Sequence, residues 1–346
     1  MTDEVKDDDL IGQAASRILT PGKINNARRR FLTNTGMFSA GLIGSTLLAA
    51  CNSDYDNAAM AQDGDTNPFT DIDILNFALN LEYLEAEFYL YAATGSGIPR
   101  EMTTGTGMQG TVSGGAMVNF ADPDDAMFGT IVREYANEIA VDEYDHVKTL
   151  RGALGSAAVA EPQIALDTAF RAALGADFDY TANPTNFLLA AFIFEDVGVT
   201  AYKGAAPLIQ DPNILSVAAG FLAAESYHSG LIRTILYSQA RRSGNQDLFN
   251  TVQTISNARD SFDDGGAADK DQGIAPTDDV PMGATGQASN IVPLDDNGVA
   301  YGRTPDDVLN VVYLTADEAN QGGFFPAGTN GYFKQSSAAP ASSSDT

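Results

Sequence analysis

The two histidines of this chain, His146 and His228, each follow a glutamate by three positions, in Glu143-Tyr-Asp-His146 and Glu225-Ser-Tyr-His228. Residues i and i+3 of a helix share a face, so each pair can aim a carboxylate and an imidazole at one point. With 12 glutamates in 346 residues, two histidines would both acquire this neighbour by chance about once in 800 arrangements. The pattern therefore constrains the fold: it asks for two helices packed with these faces inward.

Glutamates also fall on apolar faces, including those of two further helices. Between Glu161 and Glu318 the only glutamates are Glu195 and Glu225. Glu195 ends the run Phe187-Leu-Leu-Ala-Ala-Phe-Ile-Phe, and Glu225 ends Val217-Ala-Ala-Gly-Phe-Leu-Ala-Ala. A carboxylate there is costly unless it is paired or bound to metal. The segment from Asp73 to Ala93 reads as an amphipathic helix, with Leu75, Leu79, Glu82 and Tyr89 near one stripe. Glu82 is the expected ligand of this helix, Glu85 its competitor one turn on, and Glu87 is expected to face water. Two Glu-x-x-His helices and two single-Glu helices form the ligand set of a two-metal carboxylate centre in a four-helix bundle. The expected metal ligands are thus Glu82, Glu143, His146, Glu195, Glu225 and His228. Four carboxylates with two neutral imidazoles balance two divalent ions. Mixed nitrogen and oxygen donors suit iron or manganese, with zinc possible.

These motifs resemble the ferritin-like superfamily, in particular exported ferritin-like-domain proteins related to plant desiccation-related proteins. The resemblance spans nearly all of residues 68–335. It includes Ile74-Leu-Asn-Phe-Ala-Leu-Asn-Leu-Glu-Tyr-Leu-Glu85, Phe194-Glu-Asp-Val-Gly-Val-Thr-Ala-Tyr202, Arg303-Thr-Pro-Asp-Asp-Val-Leu-Asn-Val-Val-Tyr313 and Gly322-Gly-Phe-Phe-Pro-Ala-Gly-Thr-Asn-Gly331. It implies an all-α ferritin-like bundle whose reaction is left open, because the fold hosts several chemistries. It also implies that Asp142, preceding a motif glutamate, orients His228 across the bundle. Ala224 occupies the matching position of the other motif, so His146 needs a different acceptor. Tyr89, Tyr202 and Tyr227 lie on ligand helices, where they are candidate electron or proton donors.

Turn and cap signals divide the chain. Helices are expected at about 71–94, from Asp122-Pro123 to Leu154, from Asn183-Pro184 to about 206, and from Asp211-Pro212 to Ser243. A long crossover, with a short helix near 166–174, joins the second helix to the third. Residues 244–346 form a C-terminal extension. Its Asp/Gly-rich part, Ser261 to Gly286, reads as solvated loop, and its apolar part, 291–335, is expected to pack on the bundle or on a neighbouring subunit, so a homo-oligomer is possible. Gly105-Thr-Gly-Met-Gln-Gly110 spells a dinucleotide fingerprint but follows a helix, not a strand, so it carries no such reading.

The amino end resembles an export signal. Ala27-Arg28-Arg29-Arg30-Phe31-Leu32 is similar to a twin-arginine motif, and the uncharged stretch from Met37 to Ala50 has the length of a signal core. Leu48-Ala-Ala-Cys51 resembles a lipobox, which would make Cys51, the single cysteine, a site of lipid attachment. A cut after Ala61 is the alternative. Residues 1–51 then form the signal and 52–70 a tether, leaving a lipid-anchored domain outside the cytoplasmic membrane. A net charge of -27 argues against a nucleic-acid partner. The expected function is redox handling of oxygen or peroxide. The alternative is a non-catalytic stress protein with structural metal or none. The tether and the long tail obstruct assembly into an iron-storage shell.

Overall fold

The computed structural model describes residues 68–263 and 270–338. The twin-arginine motif, Cys51 and Ala61 lie outside the described residues. Four long helices form the bundle: α1 (Asp71–Thr94), α2 (Ala126–Leu154), α4 (Pro184–Ala205) and α5 (Pro212–Ser243). The short α3 (Leu166–Leu174) lies in the crossover between α2 and α4. Helix α1 packs along α2, and α4 along α5. The result is a mostly helical ferritin-like bundle. No helix of the described residues is long and apolar enough to cross a membrane.

Local chemistry explains where the helices begin. The Asn183 side chain accepts from Asn186 N–H, and the Asp211 side chain from Asn213 and Ile214 N–H, each ahead of a proline in the first turn. Thr70 and Asp73 form a reciprocal capping box for α1. Helix α2 starts three residues later than its Asp122-Pro123 signal suggests. The Asp122 carboxylate captures Asp124 and Asp125 N–H in a preceding turn, and Asp125 caps the helix through Phe128 N–H.

The two loops of the bundle are tied together. Val112–Ser113 (β1) pairs in parallel with Ile164–Ala165 (β2), joining the 95–125 loop to the crossover. Beneath them Phe88, Phe170, Phe187, Phe194 and Tyr180 form an aromatic cluster with centroid separations of 5.1–5.6 Å.

The chain after α5 is more ordered than its composition suggests. Helix α6 (Gln246–Asp263) runs through the Asn/Thr/Gln-rich segment that carried no helix expectation. Helix α7 (Pro305–Tyr313) has its own Thr304/Asp307 capping box and buries Val308, Leu309, Val311 and Val312. Phe324 then packs on Phe170 and Phe194 at 5.1 and 4.8 Å. Asn330 and Asn80 exchange two hydrogen bonds, at 2.8 and 2.9 Å. Gly204 makes the crossing of tail and α4 possible, since a Cβ there would lie 1.8 Å from the Arg303 carbonyl oxygen.

The solvated-loop reading of Ser261 to Gly286 fails at Asp271 and Ile274, which are buried. The cause is a cluster of buried arginines. Arg233 of α5 donates to the carbonyls of Gln272, Gly273, Asn290 and Ile291 and to Asp196. Arg259 of α6 bridges Asp196 at 3.0 Å and Asp271 at 2.8 Å, and Arg303 pairs with Asp271. The Asp-rich loop is drawn inward because its carbonyls and Asp271 satisfy these cations.

Candidate metal centre

Helical spacing places one Glu of α1, one of α4, and a Glu and a His of each of α2 and α5 around a common point inside the bundle. All six expected ligands are buried. They form two overlapping groups: Glu82, Glu143, His146 and Glu225, and Glu143, Glu195, Glu225 and His228. In each group the candidate ligand atoms lie within 4.8 Å of one another. Glu143 and Glu225 belong to both.

The histidines present Nδ1 to the carboxylates. His146 Nδ1 is 3.1 Å from Glu82 Oε2, 3.3 Å from Glu143 Oε2 and 3.7 Å from Glu225 Oε1. His228 Nδ1 is 2.9 Å from Glu143 Oε1 and 3.6 Å from Glu195 Oε2. The 2.9 Å approach lacks hydrogen-bond alignment, and His228 Nδ1 has no hydrogen-bond partner. One imidazole nitrogen has a single lone pair or a single proton, so it cannot satisfy three carboxylates.

The residues fit two cations on a specific observation. Both oxygens of Glu143 and both of Glu225 are buried without a hydrogen-bond partner, as is Glu195 Oε2. The two glutamates common to both groups are thus the two left wholly unsatisfied. Glu82 and Glu195 each have one oxygen held by a tyrosine: Tyr202 donates to Glu82 Oε1 and Tyr89 to Glu195 Oε1. The buried Glu/His cluster is consistent with a two-metal site in which Glu143 and Glu225 span both positions.

The electrostatics describe how such a cluster behaves with protons alone. Burial pushes Glu82 up to about 7, against the pull of His146. Burial raises Glu195 to about 8, against the pull of His228. Glu225 is driven well above the usual range by burial and then by Glu143, Glu85, Glu195 and Glu82. Burial opposes ionisation of Glu143 too, but the close approach and charge of His146 and His228 overcome it and hold Glu143 low. Both histidines rise to about 11, because neighbouring carboxylates outweigh their burial. Raised carboxyls and imidazoles of this kind are groups whose protons a cation would displace on binding.

The supporting residues fall in different places. Asp142 Oδ2 lies 3.4 Å from His228 Nε2, the ring nitrogen facing away from the carboxylates. His146 packs against Phe221 with centroids 4.3 Å apart. Tyr227 does not approach the centre: it is 76 % exposed, because the residue before an inward-facing His228 on a helix points about 100° away. Glu87 also departs from expectation. It is buried at 2 % exposure, accepts from Ile98 N–H at 3.0 Å, and lies close enough to the buried Glu161 for the two acids to influence each other's charge. Burial and then Glu87 push Glu161 up to about 9. The loop after α1 folds back over Glu87, which no helical periodicity in α1 reveals.

The sequence matches the model of the ferritin-like domain over residues 70–238. It is 30 % identical over 304 residues to desiccation-related protein PCC13-62 of Craterostigma plantagineum, covering 85 % of this chain and 93 % of that protein. It is also 30 % identical over 321 residues to ferritin-like catalase Nec2 of Nesocodon mauritianus, covering 87 % of this chain and 97 % of the relative. No solved structure gives a significant match. With its Glu/His cluster spread over four bundle helices and relatives aligned along most of its length, the chain belongs to the ferritin-like domain family.

Proposed function

We propose that this protein is an exported two-metal carboxylate oxidoreductase whose substrate is peroxide, with disproportionation of hydrogen peroxide to water and oxygen as its reaction. The observation that carries the reading is the unsatisfied pair Glu143 and Glu225, buried beside two inward-facing Nδ1 atoms. The similarity to a relative named a ferritin-like catalase supports the choice of peroxide. Two iron or manganese ions would supply the electrons exchanged with an O–O bond.

The chain's own groups have distinct tasks. Glu82 and His146 would hold one ion and Glu195 and His228 the other, with Glu143 and Glu225 available to both. The Tyr202 and Tyr89 hydroxyls fix the Glu82 and Glu195 carboxylates by donating a proton to one oxygen of each. Burial and the adjacent carboxylates push both phenols well above their ordinary values, so these protons stay in place. Asp142 fixes the proton of His228 on Nε2 and leaves Nδ1 free for metal. Phe221 and the surrounding apolar helices exclude water, which strengthens every electrostatic interaction inside.

The place of action follows from the amino end: the twin-arginine motif and Cys51 support an anchored protein in the cell envelope. Mass analysis of the membrane fraction tests this, with a lipid on Cys51 as the expected result.

The functional test is elemental analysis of the exported protein together with oxygen release from peroxide. About two iron or manganese per chain, with oxygen release abolished in Glu143→Ala/His228→Ala, is expected. A protein that holds its metal but releases no oxygen would instead favour a structural centre in a stress protein, the reading suggested by the likeness to a desiccation-related protein.

A further inference from the structure

Glu85 sits one helical turn beyond Glu82, on the same face of α1, and is buried at 6 % exposure. Among the described residues no hydrogen bond holds its carboxylate. Its surroundings are low in polarity, and the charged groups nearest in effect are Glu143, Glu195, Glu82 and His228. Four of its neighbours in the bundle therefore belong to the metal centre, and three of them carry like charge. A buried, unpaired carboxylate in this company is expensive. Glutamine or leucine would serve packing alone at lower cost.

The space beside Glu85 is kept open by Gly198 of α4, three residues beyond Glu195. A Cβ on Gly198 would lie 2.4 Å from Glu225 Oε2 and 3.4 Å from Glu85 Oε1. Both carboxylates thus border a notch that any other residue would fill. Glu85 also borders a small cavity of about 20 Å³, otherwise lined by apolar groups such as Leu84, Val197, Val311 and Phe324. That volume accommodates about one water molecule.

We propose that Glu85 is a seventh metal-binding side chain, which reaches the centre through the notch left by Gly198. The inference rests on the two-metal reading given above. Charge supports it. Five carboxylates with two neutral imidazoles exceed the charge of two divalent ions by one, and match a pair made of one divalent and one trivalent ion. Glu85 thus adapts the pocket to a metal pair that changes oxidation state.

The test uses cobalt(II), whose visible absorption intensifies as its coordination number falls, bound to the metal-free full chain. The wild-type protein is expected to bind two cobalt ions. Glu85→Gln keeps the side-chain shape and removes the charge. It is expected to bind two ions about tenfold more weakly, with a more intense visible spectrum. Glu85→Met, which has no oxygen to offer, is the second arm and is expected to behave alike. Wild-type spectrum and affinity in both variants would overturn the role of Glu85 and leave the six-residue centre standing. Failure of the wild-type chain itself to bind cobalt would overturn the two-metal reading on which the inference rests.

Discussion

Two clusters of buried charge meet at consecutive residues of α4. Glu195 belongs to a group of carboxylates and imidazoles in which five carboxylate oxygens, both of Glu143, both of Glu225 and one of Glu195, lack partners. Asp196, next in the chain, belongs to a group that carries its own arginine cations. It pairs with Arg233 at 2.7 Å and Arg259 at 3.0 Å, and accepts from Ser229 at 2.6 Å. Burial opposes its ionisation, but the two arginines and Ser229 hold its carboxyl below the usual range. The comparison separates two uses of buried charge. One cluster carries its own cations and locks the tail to the bundle. The other has the wrong balance for a closed interior and is built to receive cations from outside.

The sharpest way to break this comparison is to neutralise one acid in each cluster. Asp196→Asn leaves Arg233 and Arg259 short of a counter-charge, and should cost about 3–5 kcal/mol in chemical denaturation. Glu225→Gln removes a charge that the metal-free fold disfavours, so the stability of the metal-free chain should hold or rise. The same variant should lose tight metal loading, as measured by elemental analysis. Equal destabilisation by both changes would end the distinction between the clusters.

The next effect concerns the lock itself. Gly204→Ala places a methyl group against the Arg303 carbonyl and should cost about 1–3 kcal/mol. Amide exchange would show protection lost first at α7 and around Phe324. Loss of protection in α5 instead would mean that the tail does not depend on this crossing.

On the open cluster, Tyr202→Phe removes the proton that fixes Glu82. Metal affinity should fall about tenfold while thermal stability of the metal-free chain changes little. An unaltered metal titration would show that Glu82 is positioned by packing alone.

The smallest effect belongs to a third acidic pair. Glu161 has a folded pKa of about 9, above its ordinary 4.5, through burial and then Glu87. Its contribution to stability is complete below the unfolded value and is lost as pH rises through the folded one. Thermal midpoints should therefore decline by a few degrees between pH 5 and pH 9. Glu161→Gln should flatten that slope. A slope unchanged by the substitution would place its origin elsewhere.

Much of the centre was legible because it obeys helical periodicity. The spacing of Glu143 to His146 and of Glu225 to His228 places each pair on one face whatever packs against it. Proline and Asp/Asn signals marked the starts of α4 and α5 for an equally local reason. Glu87, Tyr227 and Asp271 were misread because their burial depends on distant partners. A loop folds over Glu87 at Ile98. Tyr227 lies beside a ligand but on the outer face of α5. Asp271 is drawn in by Arg259 and Arg303, and an Asp/Gly composition gives no sign of a buried arginine. Helix α6 was hidden by its polar residues, since its support comes from packing on the bundle through Leu248, Phe249, Val252 and Ile255.

The sequence by itself determined the four bundle helices and the set of groups on them that can meet a metal pair, since each follows from contacts within four residues. Only the tertiary structure decided that Glu143 and Glu225 are the pair left unsatisfied, that Gly198 opens a notch toward Glu85, and that Asp196 and Glu195 have opposite fates. Those outcomes depend on which side chains from remote segments arrive at each buried acid. Burial makes every carboxylate costly in the same way, and the partner that reaches it decides whether it becomes a lock or a ligand.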